Sequence, residues 1–139
     1  MFDLISSNPM IQTMDRSMTL ASRRMGLIAS NMANLDTPGY HTQDFSFQEA
    51  LKEEVSAISG NTLPIQRTHA NHMSVQSSGF LPRTTDPISP SYERNDGNDV
   101  SLDRESMLLN KTQAAYTLSS NFAQSELRRI LKAITEGAK

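Results

Sequence analysis

The stretch SNMANLDTPGY, residues 30–40, decides how the fold is built because it ends a long helical pattern abruptly. Pro38 has no backbone N–H and disfavours the helical conformation of Thr37 before it. Gly39 supplies the positive φ that a type II turn requires directly after a proline. The sequence therefore predicts a helix that stops near residue 35, followed by a tight turn at residues 37–40.

The pattern before this turn is a heptad repeat. Asn8 and Pro9 suit the cap and the first position of a helix, so we predict one helix over residues 9–35. Apolar residues then recur at steps of three and four, a spacing typical of a coiled coil rather than of an isolated surface helix. The repeat consists of Ile11, Met14, Met18, Ala21, Met25, Ile28, Met32 and Leu35.

A second heptad repeat occupies the C-terminal part. It follows the stretch DGNDVSLDRE, residues 96–105, in which Ser101 is the predicted helix cap and the acidic residues suit the positive end of a helix. We predict a helix from about Leu102 to Thr135. Its apolar stripe consists of Leu102, Leu109, Tyr116, Ala123 and Ile130 at intervals of seven, with Leu127 and Ile134 at the paired position and Leu108, Ala115 and Phe122 beside them.

The middle of the chain is polar and contains four of its six prolines. LPIQRT (residues 63–68) and HMSVQ (residues 72–76) suit short strands, and the rest is typical of loop. We therefore predict a mainly α fold, with two long terminal heptad helices forming an antiparallel coiled-coil-like pair around an irregular middle segment. The predicted divisions are residues 1–51, 52–95 and 96–139.

Composition narrows the class of function. The chain has 139 residues, 37% apolar, with eight Met, no Trp and no Cys. So few large apolar residues favour an elongated shape or burial against other subunits. The net charge of −2 argues against nucleic-acid binding, and the absence of Cys excludes disulfides and thiolate metal sites. No apolar run of 18 residues exists to span a membrane, and the N-terminus does not resemble a cleaved signal peptide.

Several motifs resemble one family. ASNMANLDTPGY, residues 29–40, resembles the A-x-N-x-A-N-x-x-T-P-G-Y signature of flagellar rod, hook and related proteins. HTQDFSFQEAL, residues 41–51, is similar to the continuation in the proximal rod proteins of the basal body, and DGNDVSLDRE to the start of their last helix. Tyr116 falls at that family's tyrosine, whereas Ser106 and Thr112 depart from its usual Met and Asn. The resemblance covers about residues 9–51 and 96–136.

This resemblance implies a structural subunit of the proximal rod, in a tube that transmits torque and passes exported protein. The implied partners are other flagellar rod proteins, the basal adaptor protein and export gate, and copies of the chain itself. It also implies a place in the periplasmic rod of the basal body, reached through the flagellar type III apparatus without a cleaved signal peptide. We expect no enzyme activity, cofactor, metal, nucleic acid, small-molecule substrate or membrane span.

Two groups of residues are the candidate sites. The predicted signature turn consists of Asn31, Asn34, Thr37, Pro38, Gly39 and Tyr40. The predicted assembly interface consists of Ile11, Met14, Met18, Met25, Ile28, Met32, Leu35, Leu102, Leu109, Tyr116, Phe122, Leu127, Ile130 and Ile134. Flexible Met side chains suit packing against several different neighbours, although plain core packing also explains them.

Other interpretations of the same residues are weaker. Asn31 and Asn34 suit either an ordinary helix end or a tie to the following loop or a neighbouring subunit. The spacing of His69 and His72 would suit a metal pair, but no third ligand is evident. The acidic residues around Gly97 do not match a calcium loop. A soluble regulatory coiled-coil binding module is the alternative function.

Overall fold

The computed structural model describes residues 8–58 and 93–137, which form three helices. They are α1 (Pro9–Ala33), α2 (Phe47–Ile58) and α3 (Leu102–Glu136). No β-strand occurs within these two ranges, so the prediction of a mainly helical fold is confirmed for them. The strands predicted at residues 63–68 and 72–76 lie outside the described residues. None of the three helices combines the length and the apolar character that crossing a bilayer requires.

The ends of α1 follow from its sequence. The side chain of Asn8 accepts hydrogen bonds from the backbone N–H groups of Met10 and Ile11, and Pro9 occupies the first turn, where a missing N–H costs nothing. The helix ends at Ala33, two residues before the predicted end. Asn34 closes it, because its backbone N–H still reaches the carbonyl of Ser30 at 3.2 Å.

Helix α3 begins at the predicted residue and ends one residue after the predicted end. Ser101 holds the capping position, but its side chain makes no capping hydrogen bond, so that part of the prediction is wrong. Only its backbone carbonyl is used, as the acceptor for the N–H of Glu105. Asp103 and Glu105 do lie in the first turn, where the helix dipole favours negative charge.

The irregular middle segment was predicted to begin at residue 52, but residues 52–58 belong to helix α2. Ser46 begins this helix, because its carbonyl accepts from the N–H of Ala50 and its hydroxyl from that of Glu49. Ser46 and Glu49 have the spacing of a capping box, a signal visible in the sequence. Phe47, Ala50 and Leu51 follow at helical spacing and pack against α1, which fixes the helix.

The apolar core is small and lies between α1 and α2. It consists of buried Leu20, Phe45 and Ala50, against which three partly buried side chains pack, namely Leu27, Phe47 and Leu51. The ion pair between Arg16 and Glu54 also joins the two helices, at 3.6 Å. Residues 44–51 are therefore held against α1 mainly by apolar burial.

Helices α1 and α3 contact each other along their length, and the contacts include three side-chain hydrogen bonds. Asn8 bonds to Glu126 at 3.3 Å, Ser17 to Ser119 at 2.8 Å, and Asn31 to Glu105 at 3.2 Å. The start of α1 thus lies beside the C-terminal half of α3, and its end lies beside the start of α3.

The face of α3 that is buried is polar rather than apolar. Its buried residues are Glu105, Thr112 and Ser119, at intervals of seven. Of the ten residues of the apolar stripe predicted for this helix, five are exposed, five are half-buried and none is buried. Eight large apolar side chains of α3 are exposed. Leu102, Tyr116, Leu127, Leu131 and Ile134 lie on one side of the helix and are called here the apolar face of α3, whereas Met107, Leu118 and Phe122 lie on the other side.

Replacement of Leu20 tests the small core. Leu20 is fully buried, so Leu20→Ala removes apolar contacts and leaves a cavity. We expect the free energy of unfolding of the purified chain, measured by urea titration, to fall by about 2–5 kcal/mol. The matched control is Leu118→Ala, which truncates a leucine that is 57% exposed. An equal loss in both variants would show that Leu20 has no special role in the core.

Candidate functional site

The predicted turn after α1 is present in the structure. The N–H of Tyr40 bonds to the carbonyl of Thr37 at 3.3 Å, which closes a four-residue turn. Gly39, in its third position, has a φ of +70°, as a type II turn requires. The predicted turn residues therefore form the connection between α1 and the loop that leads to α2.

Asn31 ties the end of α1 to this loop with all of its hydrogen-bonding groups. Its Nδ2 donates to the carbonyl of Gln43 at 2.9 Å and to Glu105 at 3.2 Å. Its Oδ1 accepts from the N–H of Gln43 at 3.0 Å and from the hydroxyl of Tyr40 at 3.1 Å. Because Asn31 is 1% exposed, any smaller side chain would leave several of these groups without partners.

Asn34 acts more locally. Its Nδ2 donates to the carbonyl of Ser30, one turn earlier, at 2.8 Å. Its Oδ1 accepts from the hydroxyl of Thr37 at 3.2 Å. Of the two interpretations of the asparagines, Asn34 fits the ordinary helix end, whereas Asn31 holds the following loop.

Asn98 is the principal residue that the sequence analysis missed. It is fully buried, and its Nδ2 lies 3.0, 3.1 and 2.8 Å from the carbonyl oxygens of Asn34, Leu35 and Thr37. Its Oδ1 accepts from the N–H of Val100 at 2.8 Å. One amide therefore satisfies the carbonyls at the end of α1 and also shapes the segment that begins α3. In the sequence, Asn98 is marked only by following Gly97 shortly before the helix. A Gly-Asn pair predicts a turn, but it does not predict a buried amide.

The two segments that connect the helices also pair through their backbones. The N–H of Gly39 donates to the carbonyl of Asp96 at 2.9 Å, and the N–H of Asp99 donates to the carbonyl of Tyr40 at 3.3 Å. Gly97 has a φ of +78°, and a Cβ added there would lie 3.5 Å from the Cα of Gly39. The two glycine turns thus meet. These interactions of Asn31, Asn34, Asn98 and the paired segments are called here the turn network.

Asp99 extends the turn network through its carboxylate. One oxygen accepts from the N–H and hydroxyl of Thr42 at 2.6 and 2.9 Å, and the other lies 3.4 Å from Nδ1 of His41. Burial alone would raise the pKa of Asp99, but the hydrogen bonds from Thr42 and His41 outweigh it and lower the pKa below its ordinary value. Asp99 is therefore held as a carboxylate.

The pKa of Glu105 shifts in the opposite direction. Glu105 is 1% exposed, and burial raises its pKa above the ordinary value although the hydrogen bond from Asn31 and the charges of Arg104 and Arg24 oppose this. The nearby carboxylate of Asp44 adds to the rise. Asp44 itself is clamped by Arg24, with two hydrogen bonds of 2.8 and 2.6 Å. An ionisable carboxyl whose charged form is disfavoured is thus buried where α1, the loop and α3 meet.

The turn network holds the segments around the end of α1 at a fixed angle. The polar groups of the turn network bond mostly to one another and to backbone atoms. Within residues 8–58 and 93–137, no group of three His, Asp or Glu residues is arranged to hold a metal ion. His69 and His72 lie outside the described residues.

The predicted assembly interface is only partly buried within one chain. Ile28 is buried, and Leu109 and Ile130 on α3 are half-buried, as are the other predicted residues of the N-terminal repeat, Ile11, Met14, Met18, Met25, Met32 and Leu35. The remaining predicted residues of α3, Leu102, Tyr116, Phe122, Leu127 and Ile134, are exposed. Their role in assembly stays a prediction.

Comparison with known proteins points to one family. A family model described as "Flagella basal body rod protein" matches residues 11–41, which include the turn. The chain is 28% identical over 116 residues to the flagellar basal body rod protein FlgB of Buchnera aphidicola subsp. Acyrthosiphon pisum (strain APS), an alignment that covers 84% of this chain and 86% of the relative.

Relatives from other bacteria agree. The FlgB protein of Aeromonas hydrophila is 29% identical over 119 residues, or 85% of this chain and 86% of the relative. That of Bacillus subtilis (strain 168) is 29% identical over 106 residues, or 76% of this chain and 78% of the relative. The similarity therefore extends well beyond the turn and covers 78–86% of the length of these relatives.

Replacement of Asn98 tests the turn network. Asn98→Ala deprives three carbonyls and one N–H of their buried partner, so we expect the free energy of unfolding to fall by at least ~2 kcal/mol. The control is Asn95→Ala, which changes an exposed asparagine in the same turn and should alter stability by less than ~0.5 kcal/mol. Urea titration measures both. Equal stability of the two variants would mean that the amide of Asn98 is dispensable.

The buried carboxyl of Glu105 predicts a pH dependence. Because the pKa of Glu105 is higher in the folded chain than in the unfolded chain, this carboxyl stabilises the fold at pH values below its ordinary pKa of 4.5. The contribution is lost as the pH rises through the folded-state pKa. Glu105→Gln cannot ionise, and its Oε1 still accepts from Asn31. The stability of Glu105→Gln relative to the unaltered chain should therefore increase as pH rises from about 4.5 to 7. A difference that is constant across this range, in urea titrations at each pH, would contradict the assignment.

Proposed function

We infer that this chain, which belongs to the FlgB-type flagellar basal-body rod proteins, works as a structural subunit of the proximal rod. The similarity over 76–85% of the chain to three FlgB proteins supports this function. No comparison supports the regulatory coiled-coil module. We propose that the subunit assembles with other rod proteins into a tube that transmits torque and passes export substrates.

The observation that carries this proposal is the apolar face of α3. Eight large apolar side chains of α3 are exposed, five of them on this face, while the same helix buries polar residues against α1. A soluble monomer rarely leaves so many large apolar side chains exposed along one element, and such patches mark interaction surfaces. A subunit whose neighbours cover this face in the assembled rod explains the arrangement.

We propose that α1 and α3 form an antiparallel coiled-coil-like pair in the rod wall. Support comes from the three hydrogen bonds between them, since the residue number rises on α1 while it falls on α3. The buried residues of α3 also keep a seven-residue interval, the repeat of a coiled coil. The turn network then sets the angle at which the loop leaves this pair.

The partners and the route of the subunit are proposals of the same kind. We propose contacts with other rod proteins, with the basal adaptor protein and export gate, and with copies of the chain. Its place is the basal body. We propose that it lies in the periplasmic rod and is exported by the flagellar type III apparatus without cleavage, and that its role is mechanical rather than catalytic.

A change of the turn tests this function directly. In a bacterium that lacks the gene for this chain, the unaltered protein should restore rods and swimming, whereas Gly39→Val should be exported but fail to complete rods. Valine opposes the φ of +70° at a cost of about 1–3 kcal/mol, and no atom lies within 4 Å of the added Cβ, so the effect is on the backbone alone. Electron microscopy of basal bodies gives the readout.

A second glycine serves as the matched control. Gly26 lies within α1 and also has no atom within 4 Å of an added Cβ, but its φ is not positive. Gly26→Ala should therefore assemble normally. Complete rods with Gly39→Val would show that the turn conformation is not needed for assembly, and failure of the unaltered protein to restore rods would refute the proposed function itself.

A further inference from the structure

The last turns of α3 extend past the start of α1. Asn8, directly before α1, donates a hydrogen bond to Glu126 at 3.3 Å, and α3 continues beyond that point to Glu136. This continuation is about 15 Å long at 1.5 Å per residue. All residues from 131 to 137 are exposed, so nothing within residues 8–58 and 93–137 covers this end of the helix.

The uncovered end of α3 is amphipathic. Four large apolar residues recur there at positions i, i+3, i+4 and i+7, a spacing that places them on one side of a helix. They are Leu127, Ile130, Leu131 and Ile134, called here the apolar end of α3. Ile130 is half-buried and the other three are exposed, with Leu131 the most exposed at 58%. Such a patch is typical of a surface that another segment covers.

The chain that leads into α1 starts beside this surface. Because α1 and α3 run in opposite directions, residues 1–7 connect to Asn8 at the base of the apolar end of α3. The backbone of Asn8 is extended, with φ −73° and ψ 114°, so the chain before it need not continue the axis of α1. An extended chain spans at most about 3.6 Å per residue, which puts Leu4 within about 14 Å of Asn8. Ile134 is only about 12 Å beyond Glu126 along α3.

We propose that residues 2–5 pack against the apolar end of α3 of the same chain and cover it in the free subunit. Phe2 and Leu4, two residues apart, share one side of an extended segment and provide the main contacts. The proposal concerns the free chain and so goes beyond the proposed function, under which neighbouring subunits replace this contact in the rod.

The apolar character of residues 1–7 fits this surface. Their sequence is MFDLISS, in which Phe2, Leu4 and Ile5 are three large apolar residues within a stretch of four. Burial of large apolar side chains against an apolar patch is the main favourable term in such an association. Ser6 and Ser7 then supply a short polar connection to Asn8.

Charge also favours this occupant. The end of α3 carries three cationic residues, of which Arg129 and Lys132 already form ion pairs within the helix. Arg128 has no anionic partner in the part of the chain that the structure describes, and it neighbours Leu131 on the helix surface. Asp3 is the one charged side chain in residues 1–7. Its carboxylate complements the guanidinium of Arg128.

A tether favours the same chain over a second copy. A segment joined by a short linker has an effective concentration on the order of mM at its site, above that of other copies in a micromolar solution. The tether also excludes more distant apolar side chains. Met107 lies 19 residues before Glu126, or about 28 Å along the helix, which is about twice the reach of Leu4.

Introduced cysteines test the contact, because the chain has no Cys of its own. In the purified full chain at micromolar concentration with oxidised glutathione, Leu4→Cys with Leu131→Cys should form a disulfide within one chain. Formation should be at least tenfold faster than for the control pair, Leu4→Cys with Met107→Cys. Both pairs join the same N-terminal thiol to an exposed position on α3 and differ in distance. Loss of free thiols and electrophoresis without reductant give the readout.

The outcomes decide between occupants. Equal rates for the two pairs would overturn the contact, and disulfide-linked dimers in place of an internal disulfide would show that a second copy supplies the segment. The measurement needs no rods, so either result leaves the proposed function intact, just as failure of the rod experiment leaves this contact intact.

Polar replacement gives a second readout without new thiols. In the double variant Phe2→Ser with Leu4→Ser, the backbone amides of residues 127–136 should exchange with deuterium at least fivefold faster, while those of residues 106–115 keep their rates. Ser6→Ala, the matched control in the same segment, should change neither region. Unchanged exchange at residues 127–136 in the double variant, or an equal rise along all of α3, would overturn the docking of residues 2–5 at this end.

Discussion

The fold depends on the amide of Asn98, which donates hydrogen bonds to the carbonyls where α1 ends. A helix end buried in a protein needs partners for its last carbonyl groups, since water cannot supply them. Here one buried side chain from a distant part of the chain donates to the carbonyls of Asn34, Leu35 and Thr37. This amide links the end of α1 to the start of α3, together with the backbone pairing of the two connecting segments, and Asn31 adds the loop to the same arrangement.

In this arrangement, hydrogen bonds between buried polar groups fix how the helices lie against one another, as apolar packing does in most small domains. Hydrogen bonds require particular distances and directions, so a fully bonded buried network specifies one geometry more narrowly than apolar contacts do. Within residues 8–58 and 93–137, few large apolar side chains are buried, namely Leu20, Ile28, Phe45 and Val100. Most large apolar residues of α3 remain outside, where neighbouring subunits can cover them.

The sequence predicted the features that depend on local chemistry. The bounds of α1 and α3 followed from capping residues and apolar repeats, and the turn followed from Pro38 and Gly39. The role of Asn98 was missed because it depends on carbonyls about 60 residues away, which no local pattern reveals. Helix α2 was missed although Ser46 and Glu49 carried a capping signal. The apolar repeat of α3 predicts a pairing face that the chain does not use internally, since the polar row of Glu105, Thr112 and Ser119 is buried instead.

The most direct measurement is a density map of an intact basal body in which this chain is traced. We predict that the turn at residues 37–40 keeps its conformation, that Asn98 still lies against the carbonyls after α1, and that neighbouring subunits cover the apolar face of α3. A map in which Leu127, Leu131 and Ile134 face solvent, or in which the two glycine turns have separated, would contradict a rod subunit held rigid by the turn network.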